Sequence, residues 1–276
     1  MQVVETLKEL RQARGRLKGP LGLVPTMGYL HEGHLSLVRR AHQECTSVVV
    51  SIYVNPSQFG PHEDLKKYPR DLSRDLEFLR QDSVDLVWVP TDEVMYPAGY
   101  QTWVTVEEVT QSLEGAIRLG HFRGVATVVS KLFNAVQPDK AYFGQKDAQQ
   151  AVVIRQMTRD LNFPIAIVVC PTMREPDGLA LSSRNVYLNP EERHAAVVLS
   201  RALFKAKASF EVGEREAAHI RQVVLSTLAT EPFVKVQYVS CAHPDTLQEL
   251  DGRVEHALLS LAVTIGKTRL IDNVIV

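Results

Sequence analysis

Two histidines three residues apart, His31 and His34, stand in the segment VPTMGYLHEGHLSLVRRA (24–41). A strand-like apolar run ends at Thr26, a glycine-containing loop follows, and a helix is predicted to open near His34. At a helix entrance this spacing places both imidazoles on one side, where free N–H groups and the helix dipole favour a phosphate. The imidazoles could donate hydrogen bonds to a phosphoryl group as it gains charge. The segment predicts a nucleotide site; surface histidines or an incomplete zinc site are the alternatives.

A second polar segment, YFGQKDAQQ (142–150), also follows a strand-like run and precedes a helical pattern. Lys146 is a compact positive charge of the kind that contacts triphosphate oxygens. Asp147 suits a helix cap, and Gln150 lies one turn further into the helix. The segment predicts a further contribution to a phosphate site, with an ordinary capped polar loop as the alternative.

A third segment, LALSSRN (179–185), carries hydroxyl and guanidinium groups after the last strand-like run of the first half. Ser182 and Ser183 offer the hydroxyls, and Arg184 offers a planar fork that can bind phosphate through two hydrogen bonds. Such a loop beside a nucleotide is typical of a phosphate clamp. Taken by itself, the loop is better described as a solvated interdomain linker.

A long loop, YVNPSQFGPHEDLKKYPRD (53–71), follows the second strand-like run, and its length indicates function. Gln58 could orient a substrate carboxylate through a neutral amide. An arginine would bind the carboxylate more tightly but would reduce its nucleophilicity. Asp75, on the helix that follows, could reach a magnesium ion. From the residues alone, a position on a solvated helix face is the favoured interpretation of Asp75.

Three basic residues, Arg118, His121 and Arg123, cluster in GAIRLGHFRGVATVVSKLF (115–133), before a helical pattern. Their charges could contact a ligand. They could equally form a basic surface patch, and the sequence leaves both interpretations open.

The elements that must position these groups alternate between strands and helices over residues 1–172. Nearly continuous Val/Ile-rich runs predict buried parallel strands at 21–26, 47–54, 85–90, 140–144 and 164–170. Amphipathic stretches predict helices at 34–45, 70–82, 124–136 and 147–162. This alternation predicts a doubly wound, Rossmann-like α/β domain. Right-handed crossovers would bring the loops after the strands to one edge of the sheet, where ligands bind.

Residues 173–276 show a different pattern and predict a smaller α+β domain. Two helices are expected within 190–230, with Asn189 and Pro190 as the start signal. Alternating strands are expected at the end of the chain, at 234–242, 257–265 and 268–276. The connecting segment PTMREPDGLALSSRN (171–185) is predicted to act as a hinge that also contacts the ligand.

The composition excludes several classes of protein. The 276 residues include 45% hydrophobic and 23% charged residues, which is typical of a folded globular protein. Thirty-one Lys+Arg against 32 Asp+Glu leave none of the basic excess typical of nucleic-acid binding. No apolar run approaches the roughly 18–20 residues of a membrane span. The opening residues do not resemble a signal peptide, and three scattered cysteines indicate thiols in a reducing cytoplasm.

In this order and spacing, the five segments resemble the pantoate–β-alanine ligase family of the HxGH nucleotidyltransferase superfamily. PTMGYLHEGH is similar to the family's HxGH loop, YVNPSQFGP to its pantoate loop, and GHFRGVATVVSKLFN to a further family stretch. FGQKDAQQ and LSSRN resemble its remaining nucleotide motifs, LSSRN as the counterpart of the KMSKS loop. The resemblance covers nearly the whole chain.

The resemblance implies a two-step ligation that depends on ATP and Mg²⁺. The carboxylate of pantoate attacks the α-phosphorus of ATP, which gives pantoyl adenylate and pyrophosphate. The amine of β-alanine then attacks the acyl carbon, which gives pantothenate, a coenzyme A precursor, and AMP. The resemblance also implies a cytoplasmic homodimer, in which residues 173–276 form a lid that shields the adenylate from water.

The resemblance implies roles for individual residues. His34 would be the principal catalytic residue, while His31 and Lys146 would stabilise charge on the transferred phosphate. Gln58 and Gln150 would hold pantoate, and Gln58 would also contact β-alanine. The residues implied in ATP binding are Met27, Gly28, Tyr29, Leu30, His31, Glu32, Gly33, His34, Gly144, Gln145, Lys146, Asp147, Met173, Leu181, Ser182, Ser183 and Arg184.

The resemblance is less complete at the positions implicated in magnesium binding. Asp75 matches an acidic position implicated in magnesium binding, whereas Arg74 stands where some relatives have a second acidic residue. The phosphates of ATP would then supply most of the magnesium ligands.

Three other functions remain open. Another small-molecule adenylyltransferase of the superfamily would share the histidine loop but need no β-alanine. A class I aminoacyl-tRNA synthetase is disfavoured, because the chain lacks a basic face and SSRN lacks a lysine. A nucleotide-binding regulatory module without catalysis is disfavoured by the intact histidines, Lys146 and Arg184.

Overall fold

The structure, a computed structural model, describes residues 1–61 and 63–276. His62, within the loop predicted at 53–71, lies outside the described residues. The chain packs into two compact units, Met1–Gly144 with Val153–Pro171, and Gln145–Val152 with Thr172–Val276. Independent domains at 1–172 and 173–276 stay a prediction.

A parallel sheet forms the centre of the first unit and confirms the α/β class. Its strands are β1 (Gln2–Val4), β2 (Leu21–Thr26), β3 (Ser47–Ile52), β4 (Leu86–Trp88), β5 (Lys140–Gly144) and β6 (Ala166–Cys170). They pair in the order β1-β4-β3-β2-β5-β6, with every pair parallel. Strand β1 was not predicted, because three residues are too few to show a strand periodicity.

Helices connect these strands. They are α1 (Leu7–Arg14), α2 (Glu32–Glu44), α3 (Leu72–Gln81), α4 (Asp92–Met95), α5 (Leu113–Ile117), α6 (His121–Val136) and α7 (Ala148–Asp160). The four helices predicted in this region are confirmed as α2, α3, α6 and α7, although α2 begins at Glu32, two residues before the predicted start. Among the described residues, no helix combines the length and apolar character needed to cross a membrane.

The sheet buries apolar side chains on both faces. Leu23 and Val24 are neighbours on β2 and point to opposite faces, as alternation along a strand requires. Leu23 packs in a cluster with Phe133, whereas Val24 packs in another cluster with Leu79. Burial on both faces explains why these strands read as continuous apolar runs.

The strand order reverses between β2 and β5. From β2 the chain proceeds to β3 on one side, and from β5 it proceeds to β6 on the other. Since all the strands are parallel, Thr26 and Gly144 end adjacent strands at the same edge of the sheet. Such a switch point leaves a crevice where α/β proteins bind ligands.

The second unit combines helices with an antiparallel sheet, which confirms the predicted α+β composition. Its helices are α8 (Pro190–Ala195), α9 (Val198–Glu211) and α10 (Ala217–Leu228), and its strands are β7 (Val234–Ala242), β8 (Leu258–Ile265) and β9 (Thr268–Ile275). Asn189 caps α8 and Pro190 begins it, as predicted. The prediction of two helices was wrong: the helical segment is interrupted between Ala195 and Val198, so that three helices form.

The segment predicted as a hinge folds back on itself within the second unit. The N–H of Leu181 donates to the carbonyl of Met173 at 2.9 Å. Between them in the chain, Arg174 forms a bidentate ion pair with Asp272 on β9, in which its two Nη atoms donate to the two carboxylate oxygens at 2.6 and 2.9 Å. The Asp272 side chain is 1% exposed. This ion pair anchors the segment to the small sheet.

Replacing Arg174 by Met should lower the free energy of unfolding by about 3–5 kcal/mol, because Asp272 would remain as a buried, uncompensated charge. Arg193→Met is a matched control that breaks an exposed ion pair with Asp177, where the expected loss is about 0–1 kcal/mol. Urea denaturation followed by circular dichroism measures both losses. Equal losses would contradict a structural role for the buried pair.

Candidate active site

The turn after β2 has an unusual backbone. Gly28 and Tyr29 both have positive φ, 81° and 51°. The N–H of Gly28 donates to Thr26 Oγ1 at 3.2 Å. A Cβ on Gly28 would lie 3.0 Å from the side chain of Ile52 and 3.1 Å from a carboxylate oxygen of Asp75, so the conformation favours glycine and the space is tight for any side chain.

His31 and His34 lie together at the start of α2, with ring centroids 4.1 Å apart. His31 Nδ1 accepts from the N–H of Gly33 at 3.2 Å, and His34 Nδ1 accepts from the N–H of His31 at 3.3 Å. Because both Nδ1 atoms accept, these hydrogen bonds assign the proton of each neutral ring to Nε2. The helix entrance thus carries two Nε2–H donors. The Glu32 carboxylate is paired with Arg39.

Asp75 is buried, with 1% of its surface exposed, so the interpretation as a solvated helix face was wrong. Its two oxygens accept from the N–H groups of Tyr29 and Leu30, each at 2.7 Å. Burial raises the pKa of the Asp75 carboxyl, and these two hydrogen bonds oppose the rise. The Asp75 carboxylate thus belongs to the loop that carries the histidines.

The surroundings of Asp75 do not fit a protein-held magnesium site. Each oxygen already accepts an N–H, and the guanidinium of the adjacent Arg74 lies over the rings of Tyr29 and Phe78, at 5.0 and 4.8 Å. Magnesium requires several oxygen ligands. Within residues 1–61 and 63–276, no three His, Cys, Asp or Glu side chains are grouped to hold a metal ion.

Gln58 is 9% exposed, and its amide joins two of the predicted loops. Gln58 Nε2 donates to Met27 Sδ at 3.0 Å, and Gln58 Oε1 accepts from Asn55 Nδ2 at 3.1 Å. Asn55 in turn accepts from Tyr96 Oη at 2.9 Å. Sequence reasoning missed Asn55 and Tyr96; the Asn-Pro turn signal at 55–56 marked the first of them.

The backbone of Gln58 is held as well. Its carbonyl accepts from His121 Nδ1 at 2.8 Å, while Arg118 donates to His121 Nε2 at 3.1 Å and pairs with Glu63. Burial, assisted by the charge of Arg118, lowers the pKa of His121 to about 4, so the ring is neutral near pH 7. The alternative of a basic surface patch was therefore wrong for Arg118 and His121. Only the third member of that cluster, Arg123, is exposed.

Close packing brings α6 against the same loop. A Cβ on Gly124 would lie 2.3 Å from the carbonyl oxygen of Ser57, which only glycine avoids. Asn55 Nδ2 also donates to the carbonyl of Gly124 at 3.2 Å. This contact gives a physical reason for the glycine in the GHFRGVATVV segment.

In the second unit, a 3₁₀ turn at Gln145–Asp147 leads into α7. Lys146 Nζ lies 3.8 Å from Asp147 Oδ1. Asn273 on β9, which is 4% exposed, holds this turn from the side. Its Nδ2 donates to the carbonyls of Gln145 and Lys146, at 3.0 and 2.9 Å, and its Oδ1 accepts from Gln145 Nε2 at 3.0 Å. No local sequence signal marked Asn273.

The LSSRN segment (181–185) leads into a short 3₁₀ helix, Ser183–Tyr187, in the second unit. Ser182 caps it by accepting from the N–H of Arg184 at 3.3 Å. The Leu181–Met173 hydrogen bond brings two predicted nucleotide contacts side by side.

The predicted residues fall into both units. The first unit contains residues 27–34, Gln58, Asp75 and Gly144. The second contains Gln145, Lys146, Asp147, Gln150, Met173 and residues 181–184.

The doubly wound sheet, with a histidine-bearing loop at its switch point, defines a Rossmann-like α/β protein. The sequence profile of the family described as Pantoate-beta-alanine ligase matches residues 2–275, and the chain belongs to this family.

Individual relatives agree with this membership. The chain is 61% identical to the pantothenate synthetase of Chloroflexus aggregans over 274 residues, 99% of each protein. The crystal structure of pantothenate synthetase from Thermus thermophilus is 49% identical, with a TM-score of 0.95 and 99% of each chain covered. Pantoate-beta-alanine ligase from Francisella tularensis, crystallised with beta-gamma ATP and beta-alanine, is 35% identical, with a TM-score of 0.82. That match covers 99% of this chain and 97% of the other.

Replacing Asn273 by Ala should lower the free energy of unfolding by about 1–3 kcal/mol, because the carbonyls of Gln145 and Lys146 lose their donors. Amide hydrogen exchange should accelerate in residues 145–152. Asn134→Ala, on the exposed side of α6, is the control and should leave both quantities nearly unchanged. Unaltered exchange in residues 145–152 of the Asn273 variant would show that the turn does not depend on this amide.

Proposed function

We propose that this protein condenses pantoate with β-alanine to form pantothenate, with ATP converted to AMP and pyrophosphate through a pantoyl adenylate. The observation that carries the proposal is the pair of Nε2–H donors of His31 and His34 at the entrance of α2, in a chain of the pantoate–β-alanine ligase family. The Francisella relative, crystallised with beta-gamma ATP and beta-alanine, supports the same substrates.

In the first step, a carboxylate oxygen of pantoate bonds to the α-phosphorus of ATP, and the bond to pyrophosphate breaks. Negative charge develops on the phosphoryl oxygens as this happens. His34 and His31 stabilise that charge through Nε2–H donors, assisted by the positive end of the α2 dipole. Lys146 offsets charge on the phosphates. Fixed donors are effective because they need no reorganisation during the reaction.

In the second step, the amine of β-alanine bonds to the acyl carbon, the bond to AMP breaks, and the nitrogen loses a proton. Gln58 and Gln150 bind pantoate in this proposal, and Gln58 also contacts β-alanine. The support for Gln58 is its fixed amide, held between Asn55 and Met27. A neutral amide orients a carboxylate and leaves it nucleophilic.

We extend the proposal to the remaining partners. The ATP-binding residues are residues 27–34, residues 144–147, Met173 and residues 181–184, and the phosphates of ATP would supply most of the ligands of Mg²⁺. Family resemblance supports a homodimer and a lid formed by residues 173–276. Three free, buried cysteines fit a reducing cytoplasm.

The test is pyrophosphate release from ATP with pantoate, measured with and without β-alanine, while pantothenate and AMP are followed. We expect pantoate-dependent release and sustained turnover only with β-alanine. Turnover without pantoate, or indifference to β-alanine, would indicate another adenylyltransferase instead. A regulatory module without catalysis would give no ATP–pyrophosphate exchange with any acid.

His34→Ala should preserve the fold and reduce the rate of adenylate formation roughly 10²–10³-fold, as expected for the loss of one fixed donor. Single-turnover quench-flow with ATP and pantoate measures this rate. His219→Ala, at an exposed histidine of α10, is the control and should retain the wild-type rate. A wild-type rate in the His34 variant would remove His34 from the catalytic step.

Lys146→Ala should slow adenylate formation far more than the attack of β-alanine on preformed pantoyl adenylate, because phosphate charge develops mainly in the first step. The two half-reactions are measured separately. Lys267→Ala, in the exposed turn between β8 and β9, controls for loss of a surface charge. Equal slowing of both half-reactions would contradict a phosphate-specific role.

A further inference from the structure

The carboxylate of Asp75 sits inside the turn that precedes the catalytic histidines. Asp75 lies in the first turn of α3, which begins at Leu72 after the capping residue Asp71. Its Oδ2 accepts from the N–H of Tyr29 and its Oδ1 from the N–H of Leu30, both at 2.7 Å. These distances are at the short end for N–H···O bonds, as expected when the acceptor is charged.

The backbone of the turn explains why an anion is needed there. Gly28 and Tyr29 are consecutive residues with left-handed φ values. Tyr29 carries a Cβ, so it adopts this conformation only where the surroundings hold it. The turn directs two successive N–H groups to one side, and a concavity of that kind favours an anion. Here the protein supplies its own carboxylate.

Arg74, the residue before Asp75, makes a further contact with the turn. The guanidinium of Arg74 lies 5.0 Å from the ring centroid of Tyr29 and 4.8 Å from that of Phe78. Two adjacent residues of α3 therefore hold Tyr29, one through its backbone and the other through its ring. A guanidinium and an aromatic ring beside Asp75 also make a poor environment for a divalent cation, since one repels it and the other offers no oxygen.

The consequence reaches the reacting groups through the chain. Leu30 precedes His31 directly, and His31 and His34 are fixed by backbone hydrogen bonds at the start of α2. A change in the path at Tyr29 and Leu30 therefore changes where the two Nε2–H donors point.

We propose that Asp75 is a positioning residue, which orients the histidine loop by binding the N–H groups of Tyr29 and Leu30, and that it does not ligate magnesium. The proposal rests on the proposed function only in taking ATP as the ligand of this loop.

Titration calorimetry of the full-length protein with ATP, in Mg²⁺ and separately in EDTA, distinguishes the two roles. Asp75→Asn should weaken ATP binding roughly 10- to 100-fold in both conditions, as expected for the loss of a charged hydrogen-bond acceptor. Asp71→Asn is the matched control: the same chemical change on the same helix, where Asn also serves as a cap. It should bind ATP as the wild type does.

Asp75→Glu gives a second test that keeps the negative charge. Glutamate also ligates magnesium, so a metal-binding role would tolerate it. A longer side chain cannot keep both 2.7 Å contacts in the buried site, so the positioning role predicts weaker ATP binding in EDTA. Wild-type affinity in EDTA, with a loss confined to Mg²⁺-containing buffer, would overturn the proposal for either variant.

Amide hydrogen exchange provides a measurement that does not depend on nucleotide. Exchange in residues 27–34 should be faster in both Asp75 variants, while the strands of the sheet stay protected; global destabilisation would accelerate exchange throughout. In the wild type, Mg²⁺ alone should leave exchange in residues 27–34 unchanged, and a change on adding Mg²⁺ would overturn the proposal. If exchange in residues 27–34 is faster in the Asp75 variants and insensitive to Mg²⁺ in the wild type, but the wild type binds no ATP, the proposed function would be contradicted. The role of Asp75 in the loop would then still stand.

Discussion

A turn in which Gly28 and Tyr29 both adopt left-handed φ values follows β2. The path of this turn determines where the two histidines of the candidate site point. The carboxylate of Asp75 holds this turn, and His31 caps α2 directly after it. The turn lies at the switch point of the sheet, where the strand order leaves room for a ligand. The position of the two Nε2–H donors therefore depends on one buried carboxylate bound to two backbone amides.

The other segments of the candidate site are held in a comparable way, by buried polar side chains that bind backbone groups. His121 holds the carbonyl of Gln58, and Asn273 holds the carbonyls of Gln145 and Lys146. Buried polar groups are costly unless they are hydrogen-bonded, so each of these contacts admits few alternative arrangements. That restriction suits catalysis, because groups that are already oriented need no rearrangement during the reaction.

The sequence predicted most of the strands and helices but few of the buried polar contacts between them. The strands at 21–26, 140–144 and 234–242 were predicted to the residue, since each is an uninterrupted apolar or alternating run bounded by turn signals. The burial of Asp75 was not predicted, because an acidic residue on an amphipathic helix is normally assigned to solvent. Its partners, Tyr29 and Leu30, are 46 and 45 residues away in the chain. The burial of His121 was not predicted either, since its acceptor, the carbonyl of Gln58, lies 63 residues away.

The sequence by itself determined the fold class, the family and the residue types at the strand ends, because short-range periodicity and local motifs depend only on neighbours along the chain. Only the tertiary structure decided the reversal of strand order between β2 and β5, the assignment of the histidine protons to Nε2, and the partners of Asp75. It also decided that Asn273 binds the carbonyl of Lys146, 127 residues earlier. Each of these depends on groups that meet only when the topology brings distant segments together, and a hydrogen bond forms at a distance of about 3 Å in space whatever the separation along the chain.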